Sequence, residues 1–184
     1  DVPTATGTTV TATEDTALEF AVADFGFADV DTSDQLNSIT VTTQPSKGTL
    51  TLSGSSVDSG QSISRSDIVA GNLKFTPAAN ANGAGYDSFK FTVNDGTADS
   101  LASSTLTINV TAVNDAPTAA ADTNAVTEDT TLSVDVANGV LVNDTDVDTG
   151  STRTVTSVQG VTANVGTATT LASGAVVTLN TDGS

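Results

Sequence analysis

The segment TEDT occurs twice, at Thr13–Thr16 and at Thr127–Thr130, and the two copies start 114 residues apart. A second landmark keeps the same spacing. DVPT at Asp1–Thr4 is echoed by DAPT, whose Asp115 also lies 114 residues on. So long a period describes an array of whole domains, not a solenoid of small units. The boundaries that follow are a complete first repeat over residues 1–113 and a second over 114–184. The second is expected to be incomplete, because it holds no counterpart of Leu73–Val113 with its LKFTP, DSFKFTVNDG and SSTLTINV segments. A half-sandwich would leave its core and a strand edge open. The chain therefore reads as an excerpt of a longer one, or as one completed by strands of another molecule.

Within the first repeat, alternating apolar and polar residues mark seven strands. They are expected at Thr8–Ala12, Ala17–Val22, Ser38–Thr43, Thr49–Ser53, Leu73–Thr76, Ser88–Asn94 and Ser104–Val113. The inward set is Val10, Leu18, Phe20, Ile39, Val41, Leu50, Leu52, Phe75, Phe89, Phe91, Val93, Leu106, Ile108 and Val110. One short helix is expected over Asp67–Ala70, with Ser66 as its cap and Gly71 as its stop. Threonine is the commonest residue, and together with valine it favours pleated, half-buried surfaces. Seven strands in about 113 residues, separated by turn residues, predict an all-β fold of tandem immunoglobulin-like Greek-key sandwiches.

The charge is lopsided: 22 acids against five Lys and Arg, a net −17, with 19 Asp and only three Glu. This balance argues against binding to nucleic acid or anionic lipid surfaces. No apolar run reaches the ~20 residues of a membrane span, so no membrane insertion is expected in this segment. Aspartate is the acid of turns and of loops that chelate hard cations; an acidic surface that keeps a protein soluble is the plainer alternative. Strand direction sorts the acids. One pole of the first repeat collects Asp1, then Asp29 and Asp31 of FADVD, then Asp95 of NDG. The opposite pole collects Glu14 and Asp15 of TEDT, Asp87, and the linker pair Asn114 and Asp115. Beyond the linker come Asp144, Asp146 and Asp148 of VNDTDVD. Like charges ~4 Å apart repel by roughly 1 kcal/mol in water and about 4 at an effective dielectric of 20, so clustered carboxylates call for a counter-ion. Ca²⁺ suits an all-oxygen donor set, whereas Zn²⁺ would recruit His or Cys, which the chain lacks. NDTDVDTG is not an EF-hand loop, because Gly150 falls one place late and the twelfth position is Val155. NDG is also a hairpin turn in its own right, and TEDT a turn, so both stay open between turn and ligand.

The linker VNDAPT, the upstream TEDT, the DVD loop and the closing NDG resemble the cadherin-like repeats of large bacterial (RTX-type) surface adhesins. VDVANGVLVNDTDVD in the second repeat is similar to the VCBS variety. This resemblance implies calcium at domain junctions, held here by Glu14, Asn114, Asp115, Asp146 and Asp148, with Asp15, Asp87 and Asp144 beside them. Glu128 and Asp129 would serve the next junction. It further implies an extracellular, cell-surface extender that supports adhesion and biofilm formation, with neighbouring repeats of the same polypeptide as its partners. The linker is shorter than the full cadherin form and no clear Asp-Arg-Glu equivalent is present, Asp87 being the substitute.

Catalysis is not expected. Without His or Cys a serine nucleophile lacks its usual base, and the paired carboxylates sit on loops with almost no aromatics to line a sugar subsite. Two further readings remain. One is a module that binds a carbohydrate or another cell-surface ligand, for which Tyr86 is the free aromatic, with Phe25 and Phe27 as alternatives. The other is a subunit of an extracellular filament joined by shared strands.

Overall fold

The computed structural model describes residues 1–31 and 33–184. It divides into two compact units, Asp1–Val113 and Asn114–Ser184. In the first unit the strands are β1 (Thr4–Ala5), β2 (Thr8–Thr13), β3 (Leu18–Glu19), β4 (Phe27–Ala28), β5 (Ser38–Thr43), β6 (Gly48–Leu52), β7 (Ser55–Ser56), β8 (Ser62–Ser64), β9 (Leu73–Pro77), β10 (Gly83–Asn94) and β11 (Ser104–Thr111). A single helical turn, α1 (Arg65–Val69), and a 3₁₀ turn at Val22–Phe25 complete it.

Two sheets form an immunoglobulin-like sandwich. One has the order β2-β11-β10-β5-β8 and the other β3-β9-β6-β7. Pairing is antiparallel except for β2, which runs parallel to β11 with Val10 opposite Ile108. β10 is the central strand: Phe91 faces Val41 and Val93 faces Ile39 on one side, while Phe89 faces Leu106 on the other. Period-2 alternation puts these residues on one face of the pleat, where they are almost fully buried. Phe20 and Phe25 close the space between the sheets. Phe20 meets Phe89 edge-on with 5.6 Å between ring centroids, and Phe25 meets Phe91 likewise at 5.1 Å.

Several local expectations are corrected. The second expected strand shrinks to β3, because the chain turns into the 3₁₀ element that drops Phe25 into the core. The sixth begins five residues earlier, at Gly83, because Gly83–Gly85 carries no apolar alternation and pairs through the backbone with Val110 across a register shift. Ser64, not Ser66, caps α1: its hydroxyl accepts the Asp67 N–H at 3.1 Å, the third residue into the helix. Gly71, at φ 70°, takes the left-handed conformation that ends the helix. Tyr86 is no exposed platform. It is buried, donates from its hydroxyl to the Lys47 carbonyl at 3.0 Å and accepts from the Ala78 N–H at 3.2 Å.

Asp87, expected among the cation ligands, is instead a fastener for the turn between β5 and β6. Its carboxylate is buried and accepts the backbone N–H groups of Ser46, Lys47, Gly48 and Ser88 at 2.7–3.0 Å. Burial opposes its ionisation, but the donors of Ser46, Lys47, Ser88 and Gly48 outweigh that and hold its carboxyl below the ordinary value of 3.8.

The second unit is built more loosely. It contains a hairpin of β12 (Thr169–Thr170) and β13 (Val176–Val177), 3₁₀ turns at Val136–Asn138 and Thr162–Asn164, and a bridge between Thr118 and Thr145. It repeats details of the first unit. The bridge corresponds to the β1–β4 pair Thr4–Ala28. The 3₁₀ turns at Val22 and Val136 keep the 114-residue offset, and so do Asp15 and Asp129, both left-handed at φ 57° and 61°. Aspartate tolerates that region through its short polar side chain, which accounts for TEDT in both copies.

Two changes test this packing. A Cβ on Gly48 would lie 2.2 Å from the Phe75 ring and 2.8 Å from the Thr76 carbonyl, so Gly48→Ala is expected to destabilise the first unit by about 2 kcal/mol in urea unfolding. Asp87→Ala removes the acceptor of four backbone N–H groups, partly buried at the contact, and is expected to cost about 1–3 kcal/mol near neutral pH. Because the folded state favours the ionised form, that contribution is full above the ordinary carboxyl value and is lost as pH falls through the lower folded-state value. The gap between Asp87→Ala and the parent chain therefore closes below about pH 4.

Candidate functional site

At the N-terminal pole of the first unit, the loop after β4 lies beside the turn after β10. Asp29 turns the loop back on itself by accepting the Asp31 N–H on Oδ1 at 2.9 Å. The NDG turn is set by side chains: Asn94 Oδ1 accepts the Gly96 N–H, and Asp95 Oδ1 accepts from the Thr97 N–H, the Thr97 hydroxyl and the Ala98 N–H at 2.6–2.7 Å. The Ala98 N–H foremost, then the two Thr97 groups, hold the Asp95 carboxyl below its ordinary value. Each of these aspartates thus commits one oxygen to the turn. The other, Oδ2 of Asp29 and of Asp95, is fully buried with no hydrogen-bond partner. Asp34 completes the group, and one carboxylate oxygen from each of Asp29, Asp34 and Asp95 lies within 4.8 Å of the others. Arg65 lines the shallow cavity shared by Asp34 and Asp95. The ion pairs formed by the described residues are elsewhere, between the Asp1 amino group and Asp31 and between Lys74 and Glu19.

Of the acids expected at this pole, the structure brings Asp29 and Asp95 together and leaves Asp1 and Asp31 outside. Asp31 is exposed and spends its Oδ2 on the Asp1 amino group. Asp34 takes the vacant place. The signal for it was the next acid in FADVDTSD, three residues after Asp31, on a loop that folds back through the Asp34 N–H to the Asp31 carbonyl.

The second unit frames its own N-terminal pole the same way. Asp146 Oδ1 accepts the Asp148 N–H at 2.9 Å, as Asp29 does for Asp31, and Asp148 Oδ2 accepts the Asp115 N–H at 2.7 Å, as Asp31 does from Asp1. Carboxylate oxygens of Asp115 and Asp148 lie within 4.8 Å of each other. Asp144 Oδ1 accepts the Ala120 N–H at 2.9 Å, and its carbonyl takes a hydrogen bond from Arg153. Asn114 donates to the Asp115 carbonyl at 2.8 Å.

At the C-terminal pole of the first unit, Glu14 is 1% exposed. One oxygen accepts the Val113 N–H and the other the Asn82 side-chain amide at 2.9 Å. Asp15 Oδ1 accepts the Asn80 N–H at 3.0 Å. TEDT thus ties the end of β11 to the loop before β10. Asp87, bound to backbone, stands outside any such group. Glu128 and Asp129 are exposed on the corresponding turn of the second unit.

Oxygen donors alone, with no imidazole or thiolate, fit a hard divalent cation at the Asp29–Asp34–Asp95 group. Nothing there combines a nucleophile with a base. Among the described residues no helix is long and apolar enough to cross a membrane. No curated protein matches the chain. The bacterial Ig domain family matches it twice, over residues 1–111 and 114–184. Domains of that family are typical of extracellular and cell-surface proteins, where they serve as structural or adhesive modules. The chain, with the same pole built twice, belongs to the bacterial Ig domain family.

Proposed function

We propose that this chain is a calcium-stiffened extender of a bacterial cell-surface adhesin, its repeats spacing an adhesive region away from the cell. The observation that carries the reading is the pair of buried oxygens, Asp29 Oδ2 and Asp95 Oδ2, which share a small space with Asp34 and have no donor. A buried anionic oxygen without a donor is costly, and close carboxylates raise the cost further. A cation of loose coordination geometry removes both penalties at once, with carbonyls and water filling its remaining positions.

The same logic extends to the linker. Glu14 is anchored to Val113, the residue before Asn114, and Asp115 is framed by Asp148 within the second unit. A second calcium held by Asp115, Asp146 and Asp148 would couple ion binding to ordering of the linker. Ions that prefer the ordered form stabilise it by mass action. The spacer role follows: an ordered linker turns flexible beads into a rod whose reach scales with the number of repeats.

Calorimetric titration of the chelator-treated chain is expected to show calcium binding with a Kd on the order of 10⁻⁴–10⁻³ M. At ten times Kd this corresponds to about 1.4 kcal/mol of stabilisation. Asp29→Asn with Asp95→Asn is expected to abolish the first-unit component, and unchanged binding in that variant would sink the assignment. For the linker, calcium is expected to slow interdomain motion in NMR relaxation, and Asp146→Asn with Asp148→Asn to remove the effect. Equal interdomain motion with calcium and with chelator would exclude the stiffening role.

A further inference from the structure

The sequence holds two Asn–Gly steps, Asn82–Gly83 and Asn138–Gly139. An asparagine before glycine is open to attack by the next backbone nitrogen on its own carboxamide, because glycine carries no side chain to block the approach. The fold treats the two steps differently. Gly139 is buried, its N–H donates to the Val136 carbonyl at 3.4 Å, and a Cβ there would lie 2.3 Å from the Gly183 carbonyl. Asn138 closes a 3₁₀ turn, with its backbone and side-chain N–H groups both on Asp135 Oδ1. Asn82 is exposed, and a Cβ on Gly83 would meet nothing within 4 Å. Gly83 sits at φ 142°, a conformation that favours glycine. The register of β10 shifts between Gly83 and Asp87, and the Gly85 N–H goes to the Asn109 side chain at 2.7 Å. What Asn82 holds gives its position a consequence. Its Nδ2 donates at 2.9 Å to Oε2 of Glu14, a carboxylate that is 1% exposed and whose other oxygen accepts the Val113 N–H.

We propose that Asn82 is a self-modification site, at which deamidation opens the clasp around Glu14. The Gly83 nitrogen bonds to Asn82 Cγ and gives up its proton; the bond from Cγ to Nδ2 breaks, and that nitrogen leaves as ammonia. The cyclic succinimide then takes up water at either imide carbonyl, and the ring C–N bond opens to aspartate or isoaspartate. Water is the only co-reactant. Either product replaces the amide donor by a carboxylate beside Glu14. A buried carboxylate that loses its donor and gains a like charge at contact distance is destabilised on both counts. The loop before β10 then parts from the TEDT turn, and Val113, the last residue before the linker, loses its fixed acceptor. The modification accumulates with time and acts at the C-terminal end of the first unit, independently of calcium.

The test incubates the 184-residue chain in warm, mildly alkaline buffer, folded in one sample and unfolded in urea in another. Peptide mapping by mass spectrometry reads the loss of ammonia, and the later exchange of NH₂ for OH, at each Asn–Gly step. In the folded chain conversion at Asn82 is expected to outrun that at Asn138 by about tenfold or more, because Gly139 must first open. In urea the two rates are expected to converge. Asn82→Gln, whose carboxamide lies one carbon too far for ready ring closure, is expected to show no conversion at that position. Hydrogen exchange at the Val113 amide is expected to quicken by about tenfold in the converted chain and in Asn82→Asp. Glu14→Gln is expected to remove the difference between the parent and Asn82→Asp, as a clash of two carboxylates requires. Conversion no faster at Asn82 than at Asn138 in the folded chain overturns the site. Unchanged Val113 exchange after conversion, or a difference that survives Glu14→Gln, overturns the opening of the clasp.

Discussion

β10 is hydrogen-bonded on both edges, to β5 and to β11, and most of the first unit hangs on that double pairing. Its inward residues Phe89, Phe91 and Val93 give the sandwich its centre, and the rings of Phe20 and Phe25 pack onto them. At 12 residues the strand spans about 40 Å, long enough to reach from one pole to the other. It therefore delivers Asp87 near one end and Asp95 just past the other, and the two acids meet opposite environments. Asp87 lands under a turn whose backbone N–H groups point at it and is saturated by them. Asp95 lands on a turn that uses only one of its oxygens and leaves the second facing Asp29 and Asp34.

That contrast separates structural acids from candidate ligands better than position does. Glu14, Asp15 and Asp87 all lie at the pole where acids were expected to gather, yet their oxygens fasten β11, the loop before β10 and the β5–β6 turn. Asp29 and Asp95 also fasten turns, and still present a buried oxygen without a donor. A bidentate carboxylate can do both, and the distinction rests on which neighbouring N–H groups the fold brings within about 3 Å. The two N-terminal poles repeat one frame, in which the first aspartate of a DxD pair caps the second and the second receives an N–H from the incoming chain.

The core was legible where strands alternate. Phe89, Phe91, Val93, Leu106, Ile108, Ile39 and Val41 were all expected inward and all are buried. Phe25, Leu36, Val57, Ile63 and Ile68 are buried as well, but they sit in turns, two- or three-residue strands and a single helical turn, where no period is long enough to read; Tyr86 is buried in β10 at the register shift that interrupts its alternation. Asp34 escaped for a related reason. Its place in the cluster depends on how a loop without regular structure folds back, not on its spacing from Asp31 and Asp29.

The amino-acid sequence by itself determined the repeat, the all-β sandwich and the oxygen-only chemistry of the poles, because periodicity and residue type act locally and survive any arrangement of the loops. Only the tertiary structure decided which acids are already spent. Hydrogen-bond saturation is set by backbone groups from segments far apart in the chain: Ser46–Gly48 reach Asp87 across some 40 residues, and Val113 reaches Glu14 across 99. No local pattern encodes those encounters.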